Sequence, residues 1–242
     1  MRTTNPALTA SAFTAESALA GASAMTMRGA VQKTTLLLGV CALSACFTWR
    51  GALTGSGMGL TVIGALVGFV VGLVLSFKRP WAPVLAPVYA VAEGLFLGGI
   101  SAVANAGSRG IVVQAVALTF GTLFALLAAY QMRLIRASEN FKLGIFAATG
   151  GIAIFYLIAM VLGFFGIHLA FLHEGGVFGI LFSLFVVTIA ALNLVLDFDF
   201  IENGEKAGAP KYMEWYAAFG LLVTLVWLYL EVLRLLQKLQ RR

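Results

Sequence analysis

The acidic residues of this chain are concentrated in the stretch 192–215, which joins its last two apolar runs. Five of the ten Asp and Glu residues lie there: Asp197, Asp199, Glu202, Glu205 and Glu214. An ionised carboxylate in hydrocarbon is costly unless it is paired, hydrated or neutralised. Acids clustered where two membrane helices meet therefore indicate a site for a cation or a proton.

Within this stretch, helix geometry separates the two aspartates. Asp197 and Asp199 are two residues apart, so on a helix their side chains point about 200° from each other. Asn193 lies four residues before Asp197 on the same face, so Asp197 is the predicted inward-facing acid. Asp199 is expected to reach water and to interact with Lys206 or Lys211. A solvated helix end followed by a loop is the simpler interpretation of the same acids.

A further acid, Glu93, lies about nine residues into the third apolar run, roughly 14 Å along a helix. No Lys or Arg is present at that depth. Desolvation favours the protonated form of such an acid. Its predicted hydrogen-bond partner is one of the polar side chains Gln114, Tyr130, Tyr156 and Asn193. Both a functional role and a purely structural hydrogen bond remain open.

The elements that position these residues are membrane helices. The chain is 61% hydrophobic and 11% charged, with a mean hydropathy of +0.97, which is typical of a polytopic membrane protein. Runs of about 20 apolar residues are long enough to span a bilayer as helices. Seven are predicted, near 33–50, 55–77, 84–104, 110–131, 144–167, 176–198 and 213–235.

The predicted fold class is therefore all-α, a seven-transmembrane-helix bundle. The membrane domain is assigned to residues 31–238, after a flexible N-terminal tail at 1–30 and before a basic C-terminal tail at 239–242. The tail is expected to contain a short surface helix near Met25 to Val31.

Basic residues predict the orientation, because Lys and Arg are enriched in cytoplasmic loops. With a cytoplasmic N-terminus, ten positive charges fall inside: Arg2, Arg28, Lys33, Lys78, Arg79, Arg133, Arg136, Lys142, Lys206 and Lys211. The C-terminal charges Arg234, Lys238, Arg241 and Arg242 then lie outside, against the rule. The net charge of +6 thus encodes orientation, and no nucleic-acid partner is predicted.

Small residues in the second and third runs predict close helix packing. Gly64, Gly68 and Gly72 recur every four residues, and Gly94 and Gly98 do the same in the next run. Such stripes let helix backbones approach closely in membranes.

Other polar residues carry weaker signals. Cys41 and Cys46 lie on different faces of one helix and are predicted to be unbridged packing residues. Glu231 and Arg234 are predicted to form an ordinary surface ion pair. His168 and His173 are assigned to a solvated loop, without metal-ligand spacing.

Two segments carry a resemblance to a known family. APVYAVAEGLFLGGIS at 86–101 and LNLVLDFDFIE at 192–202 resemble the Glu-Gly motif and the sixth-span aspartate segment of the Bax inhibitor, or transmembrane Bax inhibitor motif, family. The ending PKYMEWYAAFGLLVTLVWLYLEVLRLL is similar to a bacterial branch, which implies a bacterial inner membrane protein.

The resemblance implies a central seventh helix and a pH-sensitive calcium leak controlled by two aspartates on helices six and seven. Asp197 matches the first of these. Alignment on the terminal Leu-Arg-Leu-Leu places Thr224 where the second usually stands. Asp199 or Glu214 is the predicted substitute if the helix ends converge.

Three functions follow as hypotheses. The first is a passive Ca²⁺ conductance gated by protonation, with a gate at Asp197, Asp199, Glu214, Glu93 and Asn193. Asp197 and Asp199 would then form a weak, partly hydrated Ca²⁺ site, and no other cofactor is predicted. The second is a non-transporting membrane protein that modulates stress responses or a membrane-bound protease through partner helices. The third is an intramembrane hydrolase. Such an enzyme needs a base beside an activated nucleophile, and no histidine lies within a predicted span, so no enzyme activity is predicted.

Overall fold

The computed structural model describes residues 24–53, 57–135, 137–166 and 176–240. These residues form seven α-helices, and no β-strand occurs among them. The helices are α1 (Met27–Leu53), α2 (Gly57–Phe77), α3 (Ala82–Gly107), α4 (Ile111–Gln131), α5 (Glu139–Phe164), α6 (Val177–Lys206) and α7 (Met213–Gln240). A 3-10 turn, Arg79–Trp81, joins α2 to α3.

All seven helices are long and apolar enough to cross a membrane. A helix satisfies its backbone hydrogen bonds within one segment, which hydrocarbon requires of a spanning element. The predicted seven-helix membrane bundle is thereby confirmed, and the protein is an integral membrane protein. Each apolar run predicted from the sequence corresponds to one helix.

Two helix boundaries differ from the prediction in ways that affect the acids. α6 continues to Lys206, so Asp199, Glu202 and Glu205 lie on the helix and only the short segment 207–212 connects it to α7. α1 already begins at Met27, inside the stretch predicted as a tail. Residues 1–23, the loop with His168 and His173, and residues 241–242 lie outside the described residues.

The last helix occupies the centre of the bundle. α7 packs against α1, α3, α4 and α6, and it has the largest buried share of the seven helices. The other helices surround it and turn large apolar side chains outward, such as Phe69, Phe146 and Phe178. An apolar outer surface on a helical bundle fits a lipid environment.

Glycines allow the closest helix contacts. A Cβ added to Gly64 of α2 would lie 2.6 Å from the carbonyl oxygen of Ala92 on α3, and one added to Gly98 would overlap the backbone of Ala45 on α1. The predicted tight packing of α2 and α3 is confirmed. Both cysteines are free thiols, with Cys41 buried and Cys46 exposed.

The bundle has two ends, and Lys and Arg residues are more numerous at one of them. We call the end where α1 begins the basic end. It also bears the connections from α2 to α3, from α4 to α5 and from α6 to α7. The opposite end bears the end of α1, the connection from α3 to α4 and the end of α7.

Candidate functional site

Asp197 is the acid that the described structure leaves unsatisfied. Its Oδ2 atom is buried and is the one buried side-chain polar atom, among the described residues, without a hydrogen-bond partner. The carboxyl faces α7 at a glycine, and a Cβ added to Gly220 would lie 4.0 Å from Oδ1. The backbone of α7 therefore passes close to the carboxyl.

Thr224 lies beside the same carboxyl, one turn further along α7. Its hydroxyl donates to the carbonyl oxygen of Gly220 at 3.2 Å and also lies within hydrogen-bonding reach of the Asp197 carboxyl, although Oδ2 itself has no partner among the described residues. Thr224 is the position where the sequence resemblance placed a missing aspartate. The structure thus brings Asp197 and that position together across the interface between α6 and α7.

The surroundings of Asp197 on α6 are apolar. Leu194, Val195, Phe198 and Ile201 are all buried. Leu194 and Ile201 share a face with the aspartate, because they lie three residues before it and four residues after it on the helix. An ionised Asp197 would have no basic side chain as a partner among the described ion pairs.

Asp199 points away from this interface and has its own partners. Lys142 of α5 lies 2.9 Å from its Oδ2, and the amide of Asn203 donates to the same oxygen at 2.8 Å. The predicted separation from Asp197 holds, but the predicted lysines are wrong. Lys206 pairs with Glu202, one turn earlier on the longer α6, and Lys211 pairs with Glu214 at the start of α7.

Glu202 joins α6 to the end of α4 at the basic end. The Tyr130 hydroxyl of α4 donates to it at 2.5 Å, Lys206 binds its other oxygen, and Arg133 lies 3.8 Å away. Asp199 and Glu202 therefore form a paired, partly exposed rim on α6, about half a turn and one and a half turns beyond Asp197.

Glu214, at the start of α7, is fully buried and fully paired. The backbone N–H and the hydroxyl of Thr26 both donate to its Oε1 at 2.9 Å. Lys33 binds Oε2, and Lys211 lies 2.7 Å from Oε1. This carboxylate is a structural anchor that holds the beginning of α1.

The segment 24–33, which we call the N-terminal clasp, is fixed by further contacts to the connection before α7. The Met25 N–H donates to the Ala209 carbonyl at 2.7 Å, and the Met27 N–H donates to Glu205 at 2.9 Å. Thr26 is the N-cap of α1, since its hydroxyl accepts from Gly29 at 3.0 Å. The sequence contained a signal for this cap in Thr26, but none for its long-range partner.

Glu93 of α3 lies away from the α6–α7 interface. It hydrogen-bonds Tyr89 one turn earlier, and a Cβ on Gly68 of α2 would lie 3.0 Å from its Oε1. The four predicted partners were wrong because the glycine stripe of α2 brings that helix against this face of α3. Among those four, Tyr130 binds Glu202 and Tyr156 binds Glu231.

Asn193 also faces a different neighbour from the one expected. Its amide donates to the Thr149 hydroxyl of α5 at 2.8 Å and to the Ile189 carbonyl at 2.9 Å. It therefore joins α6 to α5, while Asp197 faces α7. The two residues of the polar stripe predicted on α6 therefore lie at different interfaces, Asn193 against α5 and Asp197 against α7.

Sequence reasoning missed a buried charge cluster near the opposite end. The predicted ion pair of Glu231 with Arg234 is confirmed, but its predicted surface location is wrong, since Glu231 is only 2% exposed. It accepts from Arg234 at 2.8 Å and from Tyr156 at 3.1 Å. Lys238 donates to the Ser183 hydroxyl at 2.9 Å. Because α7 is central, almost every face of it is buried, and hydropathy alone could not identify this.

The predicted site residues therefore divide among separate environments. Asp197 lies at the α6–α7 interface, whereas Asp199, Glu214, Glu93 and Asn193 contact other helices. Within the described ranges, no group of three or more His, Cys, Asp or Glu side chains could surround a metal ion. Any cation at Asp197 would need hydroxyl, carbonyl and water oxygens as its other ligands.

A family model described as Bax inhibitor 1 like matches residues 5–241, nearly the whole chain. No curated protein matches, and no solved structure matches.

Proposed function

Since this chain belongs to the Bax inhibitor 1 like family, we propose that it is a passive cation conductance gated at Asp197. The observation that carries the proposal is the buried Oδ2 of Asp197, which lacks a hydrogen-bond partner among the described residues. A buried polar group without a partner costs free energy. A protein keeps such an unpaired group where a permanent hydrogen-bond partner would prevent the group from binding a proton or a cation.

The cation proposed as cargo is Ca²⁺. It is a hard ion that takes six to eight oxygen ligands. The Asp197 carboxylate, the Thr224 hydroxyl and the Gly220 carbonyl are three oxygen groups at one point of the interface. Rotation of the Thr224 hydroxyl away from Gly220 would free the hydroxyl oxygen and one lone pair of the Gly220 carbonyl, whose other lone pair accepts within the helix. Water would supply the remaining ligands, so binding would be weak and compatible with passage.

Protons would compete with Ca²⁺ for the same carboxyl. A neutral Asp197 fits the apolar surroundings and does not attract a cation, so it corresponds to the closed state. Rising pH removes the proton and leaves a carboxylate that favours a cation. We therefore expect flux to rise with pH. One acid suffices for this competition, although Thr224 replaces the second aspartate of the family pattern.

The paired rim beyond Asp197 would shape the entrance from the basic end. Asp199 and Glu202 carry negative charge there, but Lys142, Lys206 and Arg133 neutralise it. We assign the basic end to the cytoplasm of a bacterial inner membrane, because cytoplasmic loops are enriched in Lys and Arg. Asp197 would then be reached first from the cytoplasmic side.

The test is calcium flux into dye-loaded liposomes that contain the purified protein, on both sides of neutral pH. Asp197→Asn should lower the flux and remove its pH dependence, because the amide keeps the shape but cannot ionise. Asp199→Asn, two residues away on the same helix, should keep both. If Asp199→Asn has the larger effect, the gate lies in the paired rim and the assignment to Asp197 is wrong.

Absence of flux above that of empty liposomes, from protein shown to be folded, would favour the non-transporting alternative. That alternative needs an exposed helix surface for a partner helix, and less of it is free than the sequence indicated. Gly64, Gly68, Gly94 and Gly98 pack within the bundle, so a partner helix would have to dock elsewhere. Crosslinking in membranes, with attention to membrane-bound proteases, would then be the next measurement.

A further inference from the structure

A lateral crevice of about 500 Å³ lies in the half of the bundle nearer the opposite end. α1 and α4 form its sides, and α3 and α7 form its floor. Its volume is in the range of binding sites for small ligands. It is separate from the Asp197 site, since no residue of α6 lines it.

The lining of the crevice is apolar. Side chains such as Leu97, Val116 and Leu225 form the walls. The two hydroxyls in the floor, Ser101 and Tyr229, bond each other at 2.6 Å and so do not require an outside partner. An apolar cavity without unpaired polar groups stays free of water. Its occupant in a membrane should therefore be apolar where it contacts these walls.

The crevice is elongated along α1. Along α1 it extends from Leu38 to Arg50, which is twelve residues or about 18 Å of helix. That length is close to half of the roughly 30 Å hydrocarbon core of a bilayer. The crevice therefore matches one leaflet in length, with its apolar part towards the membrane centre.

The rim at the opposite end carries a cation and an interfacial aromatic residue. Arg50 is exposed in the last turn of α1, and Trp49 lines the crevice beside it. Trp is enriched at the level of lipid headgroups, and Arg binds phosphate with two parallel hydrogen bonds. No acid pairs with Arg50 among the ion pairs of the described residues.

We propose that the crevice binds one acyl chain of an anionic phospholipid, whose headgroup is held by Arg50. The apolar walls select a hydrocarbon chain, the length of the crevice matches one leaflet, and the rim charge selects an anionic headgroup. The bound chain lies against the face of α7 formed by Leu222, Leu225 and Tyr229. Helix geometry places Gly220 and Thr224 on a different face of α7, so the lipid packs against the helix that carries half of the Asp197 site.

Trp49 provides a probe for this site. The protein is placed in nanodiscs of zwitterionic phospholipid that contain a small fraction of a chain-brominated phospholipid, either anionic or zwitterionic. The signal is the part of the fluorescence quenching that the wild type shows and Trp49→Phe does not. About fivefold stronger enrichment is expected for the anionic lipid, as for one basic residue near an anionic lipid surface.

Two matched pairs of variants test the two parts of the proposal. Arg50→Ala should remove the preference for the anionic lipid, whereas Arg109→Ala, exposed at the same end but outside the crevice, should keep it. Val116→Phe should fill the crevice and reduce quenching by either lipid. Val113→Phe, on the outer surface of the same helix, should have no effect.

Each alternative outcome overturns a defined part. Equal quenching by both lipids, lowered by Val116→Phe, would mean that a chain binds without headgroup selection, and the role of Arg50 would be wrong. Quenching that Val116→Phe leaves unchanged would mean that no acyl chain occupies the crevice. This experiment does not measure ion flux, so its result tests the lipid site independently of the proposed conductance.

Discussion

Glu214, a buried residue, and Asp197, whose Oδ2 atom is buried, have opposite environments near the interface between α6 and α7. Glu214 is bound by two lysines and by two hydrogen-bond donors of Thr26. Asp197 faces a glycine, and its Oδ2 has no partner among the described residues. The two acids lie on adjoining parts of the bundle, so hydrophobicity alone does not explain why one is paired and the other is not.

The difference distinguishes an anchor from a gate. A carboxylate with a complete set of donors has little to gain from a proton or a metal ion, because its lone pairs are already used. A carboxyl without such donors can exchange a proton for a cation at small structural cost. Glu214 therefore holds the N-terminal clasp, and the proposed function belongs to Asp197.

The largest expected effect is a loss of stability when the anchor residue Glu214 is replaced. Glu214→Ala would leave Lys33, Lys211 and Thr26 without their shared acceptor. Loss of one partner from a buried ion pair is strongly destabilising, and the partial exposure of Lys211 reduces the effect. We expect the free energy of unfolding to fall by about 2–4 kcal/mol. Thermal unfolding in detergent measures it.

Glu139→Ala is the control for that change, since Glu139 forms an exposed ion pair with Lys142. Exposed pairs contribute about 0–1 kcal/mol. Equal stability losses in the two variants would show that burial and pairing at Glu214 do not stabilise the protein.

A second change converts the gate into a pair of acids. Thr224→Asp would place a second carboxyl beside Asp197, and two adjacent carboxyls retain a shared proton to higher pH. The pH of half-maximal calcium flux should rise by about 1 unit or more. The isosteric Thr224→Val removes the hydroxyl beside Asp197 but adds no carboxyl, so it should shift this pH upward by less than Thr224→Asp does. An equal or larger shift with valine would contradict the account.

A smaller effect is expected in the N-terminal clasp. Thr26→Ala removes the N-cap of α1 and one of the donors to Glu214, which should cost about 1 kcal/mol of stability. Thr35→Ala is the matched control, because Thr35 is exposed on the same helix and its hydroxyl binds only the Val31 carbonyl. Thermal unfolding of the two variants gives the comparison.

The smallest stability change is expected at the gate. Asp197→Asn removes an ionisable group that has no basic partner, so the free energy of unfolding should stay within about 1 kcal/mol of wild type or increase. The same thermal measurement tests this. A loss as large as that of Glu214→Ala would mean that Asp197 is a second anchor.

The sequence predicted the helices well because hydrocarbon imposes a simple length and hydrophobicity on each span. It also predicted that Asp197 faces inward, and the family resemblance placed Thr224 opposite it. The predicted substitutes for the missing aspartate, Asp199 and Glu214, are wrong, because each is paired with a lysine away from Asp197.

The sequence could not predict the partners of Glu93, Asn193 and Glu214, since those depend on which helices are neighbours. Glu231 was misassigned for the same reason, because a charged pair near a helix end is usually exposed, and only the central place of α7 buries it.

The most direct test of the central claim is the protonation state of Asp197 across pH. Infrared difference spectroscopy of the protein in lipid identifies a protonated carboxyl band that Asp197→Asn removes. We predict that this band is present below neutral pH and disappears over the range in which calcium flux rises. A carboxyl that stays ionised throughout that range, while flux still changes, would contradict a gate at Asp197.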